Sequence, residues 1–514
     1  MTNPMWAATS SRKIRKRIVV EGDLILETPA HFGNGDADDM TDMPLLRDAR
    51  DESNGVMTPL LTGASIAGAL RSYLREREHG YGYRVPGTAE AKRNAIKQSA
   101  SVLLFGGVSG DDDGLQSPLI IDEACGKIGA GEGIEMRDGV RISPQTRTAK
   151  DKEKYDIQLW QAGTRFTLRF ELLVCETQSA DSAQQIYEDE LKRALATALQ
   201  GLDNGGITLG GRKRRGYGRI KIEQWRLKEF ELATPSGLLD WLESGNEVLD
   251  ASREVSSLQD ENALHVSALL QDVRKMFRLE TELTLDGSLL IRAGSGQDFA
   301  APDMTHLRSL QADGSMKPIL SGTSLGGALR ARATRIANTI ERDRRTATPK
   351  LINAMFGDEM NGNPNPHASR VAIEEHIVKQ PEDVPELVQN RVSIDRFTGG
   401  ARDTALFNEQ PIFGGDDTTV RVNLTLINPA CHEIGLLLLL LKDLWTSDLP
   451  LGGESSVGRG RLCGRKATMR HRFDNGEHNW TIAEDEAHAD KLAIDGDRTT
   501  LEMYVSALRT HLGA

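Results

Sequence analysis

A chain of 514 residues has room for two enlarged domains of roughly 230–250 residues, each able to bury its own core. Its 63 basic and 75 acidic residues leave a formal charge of −12, which excludes a generic polycation that coats nucleic acid; any such binding has to come from local basic stripes. Cys125, Cys175, Cys431 and Cys463 are far apart with no Cys-x-x-Cys pair, and the longest leucine run, Leu436–Leu441, is too short to span a bilayer. The expectation is therefore a cytoplasmic chain with no disulfide framework, no thiolate zinc site and no membrane partner.

The first alternating apolar segment, Arg17 to Glu27, reads as a strand. A loop rich in Gly and Asp follows from Thr28 to Met57, and a Gly-Ser block then runs into a helical pattern over Ile66–Arg77. A strand at Thr164–Val174, a helix at Ala183–Leu202 and a glycine- and arginine-rich loop leading into Arg219–Trp225 complete a first unit. The stretch Lys228–Val273 is acidic and mostly helical in pattern, and reads as a connection. A second unit has a strand near Arg278–Leu285, a polar loop to Ser315, and a helix at Leu325–Arg342. It closes with a strand at Val420–Ile427, a helix at His432–Trp445 and a loop at Gly452–Gly464. The tail after Arg472 is acidic and has no clear strand pattern.

The two units repeat one another. Pro59-Leu60-Leu61-Thr62-Gly63-Ala64-Ser65-Ile66-Ala67-Gly68-Ala69-Leu70-Arg71 recurs as Pro318-Ile319-Leu320-Ser321-Gly322-Thr323-Ser324-Leu325-Gly326-Gly327-Ala328-Leu329-Arg330. Leu209-Gly210-Gly211 with Gly216, Gly218 and Arg219 recurs as Leu451-Gly452-Gly453 with Gly458, Gly460 and Arg461. Two motifs in the same order mean an internal duplication. The strand and helix order is that of an α+β fold made of two tandem ferredoxin-like (RRM-like) domains. The expected layout is a first domain over residues 1–227, an acidic helical connection over 228–276, a second domain over 277–466 and an acidic tail over 467–514.

The Gly-Ser block has three readings. Glycines let a backbone approach an anion while Ser65 or Ser324 and the free N–H groups of a helix start face it, although no Gly-Lys-Ser/Thr follows to make a Walker A loop. Gly322-Thr323-Ser324-Leu325-Gly326 also fits a nucleophile elbow, but Ala67 breaks that match in the sister copy. The third reading is a helix N-cap with close packing. In the other loop, Arg212, Lys213, Arg214, Arg215 and Arg219 surround Tyr217, which suits a sugar-phosphate backbone with a base stacked on the ring. The second copy of that loop is less basic but keeps Arg459 and Arg461.

Together with a loop Asp-x-Pro-x-x-Arg, these motifs resemble the RAMP-type backbone subunits of type III CRISPR–Cas effector complexes, with two such subunits fused in one chain, over about residues 15–225 and 277–466. The resemblance implies a palm with a thumb β-hairpin inserted in each copy. It also implies a CRISPR guide RNA, complementary target single-stranded RNA and other effector subunits as partners. The activity implied is Mg²⁺- or Mn²⁺-dependent cleavage of target RNA by a loop aspartate. Asp42-Met43-Pro44-Leu45-Leu46-Arg47 matches the family pattern, and Asp303-Met304-Thr305-His306-Leu307-Arg308 keeps it except that Thr305 replaces proline. Asp42 and Asp303 are thus the candidate catalytic and metal-binding residues, with Asp36, Asp38, Asp39 and Asp298 as neighbours to weigh against them. Ser65, Arg71, Ser324 and Arg330 of the Gly-Ser blocks are candidate RNA ligands. So are Arg141 and Lys150 of the first thumb, which line up with Arg391 and Arg402 of the second. The alternative reading is a guide-binding scaffold whose aspartates are inert.

Overall fold

The structure, a computed structural model, describes residues 13–35, 41–48, 57–83, 99–107, 116–131, 133–143, 146–177, 181–259, 263–294, 302–341, 346–358, 366–381, 384, 386–415, 417–474, 476–485 and 488–513. Period-two burial organises the first half. Strand β1 (Ile14–Leu26) lies between β6 (Arg165–Cys175) and β7 (Ile220–Glu231), antiparallel to both. Short strands β2 (Leu119–Ile121) and β3 (Ala124–Lys127) pair with the far edge of β6. Side chains alternate across a sheet, so Phe166, Leu168, Phe170 and Leu172 of β6 all enter the core while the residues between them face away. Helices α1 (Gly63–His79) and α3 (Asp181–Asp203) cover that face, and α2 (Ala100–Phe105) packs against both.

The second half repeats the plan. β8 (Met276–Asp286) lies between β12 (Thr419–Ile427) and β13 (Arg461–Phe473), and β9 (Val371–Ile373) pairs with the outer edge of β12. Helices α5 (Gly322–Ile340), α6 (Ala347–Phe356) and α7 (Cys431–Trp445) form its helical layer. Each copy also carries a projecting hairpin: β4 (Ile134–Ile142) with β5 (Ala149–Trp160), and β10 (Gln389–Ile394) with β11 (Ala401–Gln410). Thr62 and Ser321 cap α1 and α5 in the same way, each accepting from the backbone N–H three residues on.

Two expectations are corrected. The segment after Arg472, in which the sequence showed no clear strand pattern, does contain strands. It folds as β14 (Gly476–Asp485), β15 (His488–Asp495) and α8 (Arg498–His511), extending the second sheet past β13. Helix α7 is apolar on too many faces for a sheet alone to bury, and α8 covers the remainder; a Cβ on Gly435 would come within 2.2 Å of the Tyr504 carbonyl oxygen. Among the described residues Tyr504, Leu508 and Leu512 of the tail helix and turn, with Trp480 and Ile482 of β14, anchor the addition, a sparse set whose sequence pattern is faint. The connection is not mostly helical either. β7 runs on to Glu231, α4 (Pro235–Ser244) is a single ten-residue helix, and Leu258, Leu264 and Val266 lie as extended chain on the first core.

The halves meet through a buried joint. Arg137 of β4 donates from Nη1 and Nη2 to Glu375, just after β9, at 2.5 and 2.9 Å, and Arg219 reaches Glu374 at 2.6 Å. Both members of the first pair are buried.

Candidate nucleic-acid interface

Each glycine-rich loop is a backbone device before it is a charge device. Leu209 N–H donates to the Gly218 carbonyl at 2.9 Å, and Leu451 N–H donates to that of Gly460 at 2.8 Å. Gly218 and Gly460 sit at φ +71° and +77°, and a Cβ on either would stand 1.8 Å from the carbonyl oxygen of Leu209 or Leu451. Only glycine closes this loop.

The two aspartates are also geometric twins. Asp42 N–H donates to Asp156 Oδ1 at 2.8 Å, and Asp156 N–H returns a bond to Asp42 Oδ2 at 3.1 Å. Asp303 N–H donates to Asn408 Oδ1 at 2.6 Å, and Asn408 N–H donates to Asp303 Oδ2 at 2.9 Å. Asp156 and Asn408 each follow the hairpin aromatic, Tyr155 or Phe407, so the loop is clasped to the root of the hairpin in both copies. Both aspartates are exposed. The N–H of Asp42 and the hydroxyl of Thr41 hold the Asp156 carboxyl below its usual range. Asp36, Asp38, Asp39 and Asp298 lie outside the described residues.

The model of one family, the RAMP superfamily, matches residues 23–221 and 282–463. The chain belongs to the RAMP superfamily. Two matched regions mean two RAMP domains in tandem, which places the chain among CRISPR-associated RNA-binding subunits. No curated protein matches the chain. Among the described residues no helix is long and apolar enough to cross a membrane.

Around the twin aspartates the two RAMP domains differ in chemistry. In the first, Arg212 lies 4.3 Å from the Tyr155 ring centroid, with Nη1 donating to the phenol oxygen at 2.5 Å. Ile157, Leu159 and Tyr217 form an apolar cluster with Met43 at the hairpin root. In the second, Glu409 and Arg459 stand where the first has Ile157 and Tyr217: Arg459 Nη2 is 3.1 Å from Glu409, and Arg391 donates to Glu454 at 3.0 Å. Burial, reinforced by Glu454 alongside, pushes the Glu409 carboxyl up. Glu409 was missed in the sequence, where it breaks no motif, and Glu454 was noted there only as making its loop less basic.

The structure redistributes the expected RNA ligands. Tyr217 is 3% exposed, with the Arg137 guanidinium 5.3 Å from its ring centroid, so it is a root residue of the hairpin and not a stacking platform. Arg215 lies in the joint: its carbonyl is 2.3 Å from where a Cβ on Gly322 would stand, and its Nη1 is 2.1 Å from one on Gly326. Burial, then Arg330, pulls the Arg215 pKa down. Arg330 holds the end of α6, donating to Gly357 O at 2.8 Å and Asn353 Oδ1 at 2.9 Å. Ser65 and Ser324 hydrogen-bond the capping hydroxyls of Thr62 and Ser321 at 2.9 and 3.0 Å, favouring the N-cap reading of the block. Arg141 and Lys150 share Glu153, and Arg219 is divided between Glu27 and Glu374. Arg391 and Arg459 are taken up by the acid cluster. Lys213, Arg402 and Arg461 are exposed, and Arg71 and Arg214 half-exposed.

For a divalent cation, the described residues contain no group of three or more His, Cys, Asp or Glu placed to hold one. One exposed carboxylate per site, with Asp156 beside the first, fits an ion that takes its other ligands from RNA phosphate and water, as Mg²⁺ commonly does.

Proposed function

We propose that the chain is a guide-RNA-binding backbone subunit of a type III CRISPR effector complex that cleaves guide-paired target RNA at two positions, through Asp42 and Asp303. The carrying observation is the twin clasp: an exposed carboxylate recurs at the root of both hairpins although the residues around it have diverged. In each main sheet the first strand of the repeated unit, β1 or β8, is flanked by β6 and β7 or by β12 and β13, which supports the ferredoxin-like reading. Exposed apolar side chains on the hairpins, Val140 and Ile142 in the first and Ile394 and Phe397 in the second, support their role as thumbs that separate bases.

In this mechanism the target 2′-OH, held in line, attacks the adjacent phosphate, forming a 2′,3′-cyclic phosphate as the bond to the 5′-oxygen of the next nucleotide breaks and that oxygen takes a proton from water. Asp42 or Asp303 keeps one carboxylate oxygen on the hairpin N–H and turns the other to the RNA, where it orients the hydroxyl or receives its proton. A divalent ion, which Asp42 or Asp303 would help to hold, would supply charge neutralisation at the phosphate. The hairpin clasp fixes the carboxylate relative to the thumb, so base displacement and chemistry stay in register.

The clasp also favours a second reading, a scaffold in which the carboxylate only pins the hairpin. Asp42→Asn separates the two, because an amide oxygen still accepts from Asp156 N–H but carries no charge. The proposal expects Asp42→Asn in the assembled complex to remove one cleavage product by at least about 100-fold while Asp303→Asn removes another, with guide binding unchanged in both. Full cleavage by the Asp42→Asn, Asp303→Asn double variant, read on end-labelled target with Mg²⁺, would leave the scaffold reading.

A further inference from the structure

The two clasps share their bonds but differ in the atoms they leave outward. In the first domain the N–H of Asp42 and the hydroxyl of Thr41 both donate to Asp156 Oδ1, at 2.8 and 2.9 Å. Asp42 commits Oδ2 to the Asp156 N–H at 3.1 Å. Among the described residues no hydrogen bond or ion pair reaches Asp42 Oδ1 or Asp156 Oδ2, and Lys154, whose charge acts on Asp156, is itself paired with Asp138 at 3.0 Å. The first site thus presents two open carboxylate oxygens. In the second, Asp303 N–H donates to Asn408 Oδ1 at 2.6 Å, and Asp303 Oδ2 accepts from Asn408 N–H at 2.9 Å. An amide has one oxygen, and here it is the atom that accepts, so the open group of Asn408 is its NH₂, which only donates. Pro302 replaces Thr41, so that hydroxyl is missing too. The second site presents one open carboxylate oxygen and an amide donor.

We infer that the residue clasping the aspartate, Asp156 in one domain and Asn408 in the other, sets the divalent-cation affinity of each cleavage site, so that the two cuts answer to different Mg²⁺ concentrations. The inference rests on the cleavage reading above and adds Asp156 to it as a ligand. Mg²⁺ takes oxygen ligands, commonly one or two carboxylates beside phosphate and water, and ligand charge tunes the affinity of such sites. Asp42 with Asp156 offers two carboxylates. Asp303 offers one, and the Asn408 NH₂ turns its positive end to an incoming cation. The wider field points the same way. Arg212, on the Tyr155 ring, is the cation beside the first pair and leaves that site net negative. In the second, Arg292, Arg391 and Arg459 contact Glu409 and Glu454, and with Asp303 these charges balance. Attraction for a divalent ion is therefore weaker there. Pinning the hairpin does not account for the difference, because both clasps make the same two bonds to backbone N–H groups.

The exchanges Asp156→Asn and Asn408→Asp test it in the assembled complex, since each keeps the oxygen that accepts the aspartate N–H and changes only the outward group. In the wild type, the Asp42-dependent product should reach half its maximal rate at an Mg²⁺ concentration at least about tenfold below that of the Asp303-dependent product. Asp156→Asn should raise the first value by at least about tenfold and leave the second in place, and Asn408→Asp should lower the second by a similar factor. Binding is read separately with Mn²⁺ by electron paramagnetic resonance, on a target carrying 2′-deoxynucleotides at both scissile positions. The Asp42→Asn, Asp303→Asn double variant supplies the background of ions held by RNA alone. Above that background Asp156→Asn should weaken the tighter Mn²⁺ site and Asn408→Asp should tighten the weaker one. A clasp that only pins the hairpin predicts no change in either measurement. Products that vanish in Asp42→Asn and Asp303→Asn but answer alike to Mg²⁺, or Mn²⁺ binding unmoved by the two exchanges, overturn this inference alone. Cleavage that survives the double variant overturns it together with the cleavage reading.

Discussion

Glu375→Ala should loosen the joint between the RAMP domains more than any exposed charge substitution. The Arg137 and Glu375 side chains are 3% and 4% exposed, and their two bonds of 2.5 and 2.9 Å form a bidentate pair. Arginine does not deprotonate, so truncating its partner leaves a buried cation with Glu135 as its remaining carboxylate contact. Breaking a buried pair from one side costs about 3–5 kcal/mol, and the retained Glu135 argues for the lower end, about 3 kcal/mol. At a urea m-value of about 2–3 kcal/mol/M this lowers the midpoint of the affected transition by about 1 M. Replacing both partners by apolar residues, Arg137→Met with Glu375→Leu, removes the desolvated charges together and should restore most of that loss. Urea unfolding followed by far-UV circular dichroism and tryptophan fluorescence would resolve the transitions, since a two-domain chain need not unfold in one step. A midpoint in Glu375→Ala within about 0.2 M of wild type would refute the assignment of the joint to this pair.

His306 accepts from Ile291 N–H at 3.2 Å and contacts Ile319 O at 3.1 Å, and burial lowers its pKa to about 4. Below about pH 6.5 the unfolded chain takes up a proton that the folded chain refuses, so stability should be full above pH 6.5 and fall by about 3 kcal/mol on the way to pH 4. Urea midpoints across that range should show a smaller slope in His306→Leu, which installs the side chain found at the matching Leu45. Gly218→Ala combines φ +71° with a Cβ 1.8 Å from Leu209 O, and should cost at least about 2–3 kcal/mol. Gly205→Ala, at φ +70° with open space around it, should cost only about 1 kcal/mol in the same thermal melts. Arg215→Ala should lower the melting temperature through the joint. Lys213→Ala should leave melting unchanged and reduce the slope of log affinity against log salt for guide RNA by about 0.7, the value for one lost contact to a single strand.

The duplicated unit, its central strand, both capped helices and both glycine loops were legible because each depends on local periodicity or on a backbone conformation that only certain residues permit. Thr62 and Ser321 announce a helix start wherever the chain goes next, and Gly218 and Gly460 are demanded by a contact nine residues away along the loop. The aspartates were singled out differently, through the resemblance of a short motif to the family pattern. What they touch was not, since Asp156 and Asn408 lie more than a hundred residues further on and differ in kind. Tertiary structure alone decided which basic residues stay open to a ligand. Arg212 to Arg215 are one run in sequence, yet a turn of 3₁₀ helix sends Arg212 onto Tyr155, Lys213 to solvent and Arg215 into the joint. Tyr217 looked like a stacking ring because aromatic identity is local, whereas its burial depends on Arg137 and on a hairpin 60 residues earlier. The tail was misread for the converse reason: a few large residues, Trp480, Tyr504 and Leu508, are enough to anchor it on a helix that already had apolar surface to spare.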